Sequence, residues 1–205
     1  MKPQSFPAFA VCGLDELIGH QGRGVTHILS ILDPEWPDPE AFLAYDPHFR
    51  ATLRFHDAIE PDRDILLPQK ADVEAILTFG RDAAEAGGLL IHCHAGISRS
   101  TAAMLMILAQ AHPHKGEDEL AERLLQNRPQ AWPNSRMITF ADELLDRHGR
   151  LSAATAGIYA RQLERRPELA EIMRRGNRAR EVELGLSGKQ PAQADARGET
   201  SRPSS

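Results

Sequence analysis

A cysteine and an arginine suited to covalent phosphate chemistry stand six positions apart in Ile91-His92-Cys93-His94-Ala95-Gly96-Ile97-Ser98-Arg99-Ser100. A cysteine thiolate is a strong nucleophile, and a guanidinium offers a planar fork of donors that matches two oxygens of a phosphoryl group. The segment holds a glycine and joins an apolar run to a strongly helix-forming one. The backbone N–H groups of His94, Ala95, Gly96, Ile97 and Ser98 are therefore expected to line a small concavity at a helix N-terminus, a recurring phosphate cradle. The helix end favours negative charge at Cys93. Arg99 supplies a full positive charge, and it can grip the phosphoryl group more tightly as charge redistributes in the transition state. Ser100 is positioned to donate a hydrogen bond to the sulfur and ease its departure in a second step. A plain core thiol at Cys93 would not account for the glycine and arginine at this spacing.

These residues need a rigid frame. Leu89 to Ile91 is the most apolar short run ahead of the loop, which reads as a central strand covered on both faces. Ser100 to Ala111 contains good helix formers and no charge, which predicts a helix buried nearly all round. Phe9 to Cys12, Val25 to Leu32 and Ala51 to His56 read as further strands. Leu14 to His20 reads as a short helix, so the first two strands are expected to pair in parallel. The four prolines between Asp33 and Pro47 predict a long loop, and Asp57 to Pro68 a second. Helical periodicity recurs from Val73 to the Gly87-Gly88 stop. More helices are expected at 116–127, 135–148 and 158–181. The arginines between Arg161 and Arg180 read as a solvated helix face. Residues 1–150 are thus expected to form the catalytic domain and 151–186 a helical extension. Residues 187–205 lack large apolar side chains and read as a disordered tail.

His-Cys-x-x-Gly-x-Ser-Arg-Ser resembles the active-site signature of the protein tyrosine phosphatase superfamily in its dual-specificity form, and HCHAGISRS matches every fixed position. Arg128-Pro129-Gln130-Ala131-Trp132-Pro133-Asn134 is similar to the Arg, then Pro-Asn, pattern ahead of the last core helix of these enzymes. The resemblance covers roughly residues 8 to 148. It implies an α/β fold with a central four- or five-stranded, mostly parallel sheet flanked by helices. It also implies two-step hydrolysis through a phosphocysteine, with no metal or organic cofactor. A family aspartate on a mobile loop protonates the leaving oxygen. Asp57, 93 − 57 = 36 residues before the cysteine and directly after a strand, fits that role best, with Asp62 and Asp64 as alternatives. His92 is expected to fix the loop and tune the thiolate, Asn134 to hold the phosphate loop by hydrogen bonds, and His94 to face solvent.

Other classes fare worse. A net charge of −5 leaves no global basic field for nucleic acid or an anionic membrane. No apolar run approaches the roughly 20 residues that cross a bilayer, and Met1 to Phe9 lacks a secretory pattern. With two cysteines, Cys12 and Cys93, a disulfide scaffold is excluded and a cytoplasmic location is expected. Cys12 reads as core, with a reversible disulfide to Cys93 left open. His92 and His94 lack the further ligands a metal site needs. A rhodanese-like sulfurtransferase commonly has a shorter Cys-to-Arg loop, and a phosphate-binding pseudoenzyme typically lacks one of the three reactive groups. Phosphoinositide phosphatases tend to carry lysines in the loop, whereas His94, Ala95, Ile97 and Ser98 occupy the variable positions here. The expected substrate is therefore a phosphorylated protein or a small phosphate ester, with a nucleotide, sugar or inositide phosphate as the alternative. No deep-pocket tyrosine motif precedes Asp57, so a strict phosphotyrosine preference is not expected.

Overall fold

In the computed structural model, which describes residues 9–84 and 87–187, the apolar run ahead of the phosphate loop is the second strand of a central sheet. Its strands are β1 (Phe9–Cys12), β2 (Val25–Leu32), β3 (Phe49–Arg54) and β4 (Gly88–His92), in the order β1-β4-β2-β3. Every pairing is parallel, but β1 and β2, expected to pair with each other, are separated by β4, which inserts between them. The fold is α/β with a four-stranded sheet, the smaller of the two expected sizes. Ile28, Leu29, Ile31, Leu32, Leu90 and Ile91 are no more than 1% exposed. Cover on both faces explains why the buried parts of β2 and β4, Ile28–Leu32 and Leu89–Ile91, are almost wholly aliphatic, without the alternation of a half-wet sheet.

The strand period of two divides these side chains between two cores. Val11, Leu29, Ile31, Leu89 and Ile91 pack among helices α1 (Lys70–Ala84), α2 (Arg99–Ala111), α3 (Glu117–Asn127) and α4 (Ser135–Leu144). Cys12, Ile28 and Leu90 face the other way, under two 3-10 turns at Leu14–His20 and Glu40–Ala44. The first of those is the short helix expected at Leu14 to His20, wound with 3-10 geometry. Helix α2 is buried from Arg99 through Ala109, in keeping with the absence of charge from Ser100 onward. Removing a large side chain at its centre, as in Leu105→Ala, is expected to destabilise the fold by about 2–5 kcal/mol in chemical denaturation, because the cavity cannot collapse among so many fixed neighbours.

Three boundaries depart from expectation. Strand β3 spans Phe49–Arg54 and not 51–56: Phe55 N–H still reaches Leu32 O at 3.0 Å, but His56 N–H turns to Leu66 O across the next loop. Helix α4 stops at Leu144, and Asp146, His148 and Gly149 take positive φ to turn the chain. The single helix expected at 158–181 is instead α5 (Arg150–Arg165), α6 (Leu169–Arg175) and α7 (Ala179–Ser187). Pro167 falls at the first break and Asn177, at φ 58°, at the second. Tyr159, Leu163 and Val182 from α5 and α7 are buried with Trp132, and Ile97 of the phosphate loop packs on this cluster. Ser187, first residue of the expected tail, closes α7, and residues 188–205 lie outside the described residues. Among the described residues no helix is long and apolar enough to cross a membrane.

Candidate active site

A parallel sheet delivers all its strand ends to one edge, and in such folds the crevice beyond the carboxyl ends is where ligands bind. Here β4 is followed by Cys93, β1 by Gly13, β2 by Asp33, and β3 by Phe55 and Asp57. The four connections converge on the phosphate loop. Leu14 N–H donates to His94 O, and Asp33 and Phe55 hold Arg99.

The loop sorts its own polar groups. Each carbonyl from His94 to Ser98 accepts from the protein: His94 O from Leu14, Ala95 O and Gly96 O from Arg128, Ile97 O from Trp132 N–H, and Ser98 O from Ala102 N–H. Among the described residues, none of the backbone N–H groups of His94 to Ser98 donates to a protein acceptor. The loop's outward bonds fix its frame, and its N–H groups remain available as donors to an anion. Gly96 makes the tight path possible. Its φ is 69°, and a Cβ there would lie 2.4 Å from the carbonyl carbon of Cys12 and 2.6 Å from Gly13 N. Gly96→Ala is therefore expected to reduce inorganic phosphate or tungstate affinity at least about tenfold, since a strained αL residue and two backbone clashes would together open the cradle.

Cys93 is 2% exposed, and its Sγ lies 3.2 Å from Ser100 Oγ. Arg99 is 3% exposed. Its Nη1 donates to Asp33 Oδ1 and to Phe55 O, both at 2.6 Å, while its buried Nε has no partner among the described residues. An unpaired guanidinium N–H beside unpaired loop N–H groups is a costly arrangement unless an anion completes it. His92, wholly buried, hydrogen-bonds Ser30 Oγ through Nε2 at 2.7 Å, with Nδ1 3.4 Å from Cys93 O. Cys12 is a free thiol whose pKa burial, with Glu16, pushes up to about 12, so it carries no thiolate at neutral pH.

Asp57 reaches this loop through one oxygen. Its Oδ1 accepts from Ser98 Oγ at 2.7 Å, Asn134 Nδ2 at 2.9 Å and Arg178 Nη1 at 3.3 Å. Burial acts to raise its pKa, but Arg178 and then Arg99, with the bonds from Ser98 and Asn134, outweigh it and hold the carboxyl below the usual carboxylate range. Asp62 and Asp64 are exposed, and among the described residues neither bonds to the phosphate loop; Asp62 instead accepts from Arg63 N–H. Among the described residues no cluster of three His, Cys, Asp or Glu is arranged to hold a metal ion.

No family model matches the chain, and no curated protein matches it. Solved structures do. Human DUSP28 is 16% identical, its match covering 69% of this chain and 94% of that one, with a TM-score of 0.53. The human tyrosine phosphatase-like serine/threonine/tyrosine-interacting protein is 18% identical over 67% of this chain and 87% of that one, with a TM-score of 0.50. The fold is that of a dual-specificity phosphatase.

Within this dual-specificity-phosphatase fold the structure brings Cys93, Arg99, Ser100, Asp57, His92 and Asn134 together with residues 94–98. Two local expectations change. His94 does not stand free in solvent: its ring centroid is 4.5 Å from that of Trp36, and its Nε2 accepts from Asp33 N–H at 3.2 Å. Burial lowers its pKa, which suits a neutral, accepting ring. The Asn134 side chain holds the Asp57 segment, bonding Asp57 and Ala58 O and capping α4 through Met137 N–H, while its backbone N–H reaches Ser98 O. Three residues were missed or under-read. Asp33, read only as the start of a proline-rich loop, had the signal of an acid at the carboxyl end of a parallel strand. Arg128, quoted in the motif without a role, supports the underside of the loop and is paired with Glu16 at 2.7 and 2.8 Å. Arg178 was assigned to a solvated face, yet it is 7% exposed and contacts Asp57 and Ser98.

His92 makes stability pH-dependent. Burial lowers its pKa from the usual 6.5 to about 4. The unfolded chain therefore binds more protons between those values, and unfolding free energy must rise with pH across that window. Stability is expected to fall as pH drops from about 6.5 to about 4, by at most about 3 kcal/mol from this group. Thermal melts of His92→Gln should show a flatter pH dependence across that window.

Proposed function

We propose that the protein is a cysteine-dependent phosphomonoester hydrolase, a protein tyrosine or dual-specificity phosphatase working through a phosphocysteine. The observation that carries this reading is the loop from His94 to Ser98, whose carbonyls are all engaged and whose N–H groups donate to no acceptor among the described residues, set between Cys93 and an Arg99 Nε that likewise has no partner among them. Phosphoryl oxygens would satisfy those donors, and more strongly as the transferring group passes through its transition state.

In the first step the Cys93 thiolate attacks phosphorus. The S–P bond forms as the P–O bond to the leaving group breaks, and Asp57 gives its proton to the departing oxygen to release the alcohol or phenol. In the second step water attacks phosphorus, the Asp57 carboxylate takes a proton from it, and the P–S bond breaks. Inorganic phosphate and the thiolate result. Ser100, 3.2 Å from Sγ, steadies the sulfur as negative charge returns to it. Arg99 binds two equatorial oxygens through the fork edge that Asp33 and Phe55 leave available. Asp57 Oδ2, which has no hydrogen bond among the described residues, is the oxygen suited to carry the proton, because Oδ1 is held by three donors.

The pairing of Trp36, 46% exposed, with His94 adds an aromatic edge to the loop. That edge supports aryl phosphates, and phosphotyrosine in proteins among them. A substrate panel tests the reading: phosphotyrosine, phosphoserine and phosphothreonine peptides, a nucleoside monophosphate, a sugar phosphate and inositide phosphates. Fastest release from the aryl ester is expected, and no release from any member would overturn the assignment.

A further inference from the structure

Arg178 lies between α6 and α7, well outside the segment that carries the phosphate-loop motifs, and each of its guanidinium nitrogens has a partner. Its Nε and Nη2 form a two-point fork with Glu181, at 2.7 and 2.8 Å. Glu181 is 0% exposed and also accepts from Trp132 Nε1 at 2.6 Å and Ser135 N–H at 2.8 Å, so the fork is anchored to the segment that follows the phosphate loop in space. The remaining nitrogen, Nη1, donates to Ser98 Oγ at 2.8 Å and lies 3.3 Å from Asp57 Oδ1. Ser98 in turn donates to the same Asp57 oxygen at 2.7 Å. Arg178, Ser98 and Asp57 thus close a three-membered hydrogen-bonded ring that ties the acid's loop to the phosphate loop.

We propose that Arg178 is a positioning residue for the general acid, and that helices α5 to α7 belong to the catalytic centre because they carry and anchor it. This inference rests on the phosphatase reading for its kinetic part only. A solvated helix face would not use a fully buried glutamate to orient one arginine, and both partners of a buried pair must be desolvated at a cost that a surface role does not require. The fork orients Arg178 so that a single N–H edge meets Asp57 Oδ1, and Oδ2 is left for proton transfer. The fixed positive charge also favours the carboxylate, the form required as base in the second step. The charged and titratable groups facing Asp57 are Arg178 from the α6–α7 connection, Arg99 from α2, His94 from the loop and Tyr159 from α5.

The test combines two variants with two readouts. Arg178→Gln removes the charge; Arg178→Lys keeps it but loses the planar fork. Carbon-13 carboxylate NMR on the full chain should show Asp57 titrating at higher pH in Arg178→Gln and close to wild type in Arg178→Lys. On a phenyl or alkyl phosphate, each variant should lose about tenfold or more in kcat, and the loss should shrink to within about twofold when Asp57→Asn is already present, since groups acting as a unit are non-additive. An unmoved Asp57 titration, or an undiminished loss in the Asp57→Asn background, would overturn the proposal. If Arg178→Gln does not fold, with Glu181 left uncompensated, the Arg178→Lys cycle still decides it. If wild type hydrolyses no phosphate ester, the phosphatase reading fails, and the NMR titration still shows whether Arg178 governs Asp57.

Discussion

Cys93→Ser is expected to cut turnover of an aryl phosphate by about 10⁴–10⁶-fold while the affinity for tungstate or phosphate changes only a few-fold. A serine hydroxyl has nearly the shape of the thiol but is not ionised near neutrality, so the nucleophile is lost and the cradle is not. The donors of the loop backbone and the guanidinium of Arg99 do not depend on the sulfur, and the carbonyls that fix the loop remain bonded to Leu14, Arg128, Trp132 and Ala102. Arg99→Lys should show a different pattern. It retains charge but loses the fork that Asp33 and Phe55 orient, so both oxyanion affinity and turnover should fall, turnover by about 10²–10³-fold. Isothermal titration with tungstate beside initial rates separates the two patterns.

The second large effect is expected at Asp57. Asp57→Asn should slow hydrolysis of an alkyl or phenyl phosphate by about 10²–10⁴-fold, and that of nitrophenyl phosphate much less, because a leaving group of low basicity departs without a proton. The pH dependence has a definite sign. Arg178 and Arg99 hold the free enzyme's Asp57 below the ordinary carboxylate range, so the protonated form is lost as pH rises through a low value. The alkaline limb of kcat/KM for a poor leaving group should accordingly lie on the acid side. A bound phosphoryl group brings negative charge close to the carboxyl and raises its pKa, so the corresponding limb of kcat should lie at higher pH. Asp57→Asn should abolish this limb. Asp62 and Asp64 bond to no phosphate-loop residue among the described residues, so Asp62→Asn and Asp64→Asn change the loop charge equally but should leave the leaving-group dependence as in wild type.

The sheet and the loop were legible in the sequence because their physics is local. Mainly β-branched and aliphatic runs at 25–32 and 89–91 mark buried parallel strands, and an uncharged run at 100–111 marks a buried helix. The Gly96 turn needs a glycine wherever it is built. Asp57 was singled out by its distance past a strand end, and the structure sets its carboxylate against Ser98 and Asn134, whereas Asp62 and Asp64 are exposed. What composition could not convey was the use made of charged residues brought in from far along the chain. Arg178 and Glu181, three apart among several arginines, look like an exposed helical pair, and only the packing of Tyr159 and Val182 against Trp132 buries them at the site. Arg128 and Glu16, 112 residues apart, likewise meet only in the fold, where Arg128 also bonds Ala95 O and Gly96 O. The helix expected at 158–181 hid this arrangement, since one straight helix has no connection from which Arg178 could turn inward. His94 was misread because the residue that covers it, Trp36, sits in a proline-rich loop whose path the sequence does not specify.

The most direct test of the proposed chemistry is to find the phosphoryl group on sulfur. Wild-type protein turning over an aryl phosphate, quenched in acid and digested, should give the peptide containing Cys93 increased by the mass of one phosphoryl group, and Cys93→Ser should give none. Turnover that leaves no phosphoryl group on Cys93, or leaves it on another residue, would contradict a phosphocysteine mechanism.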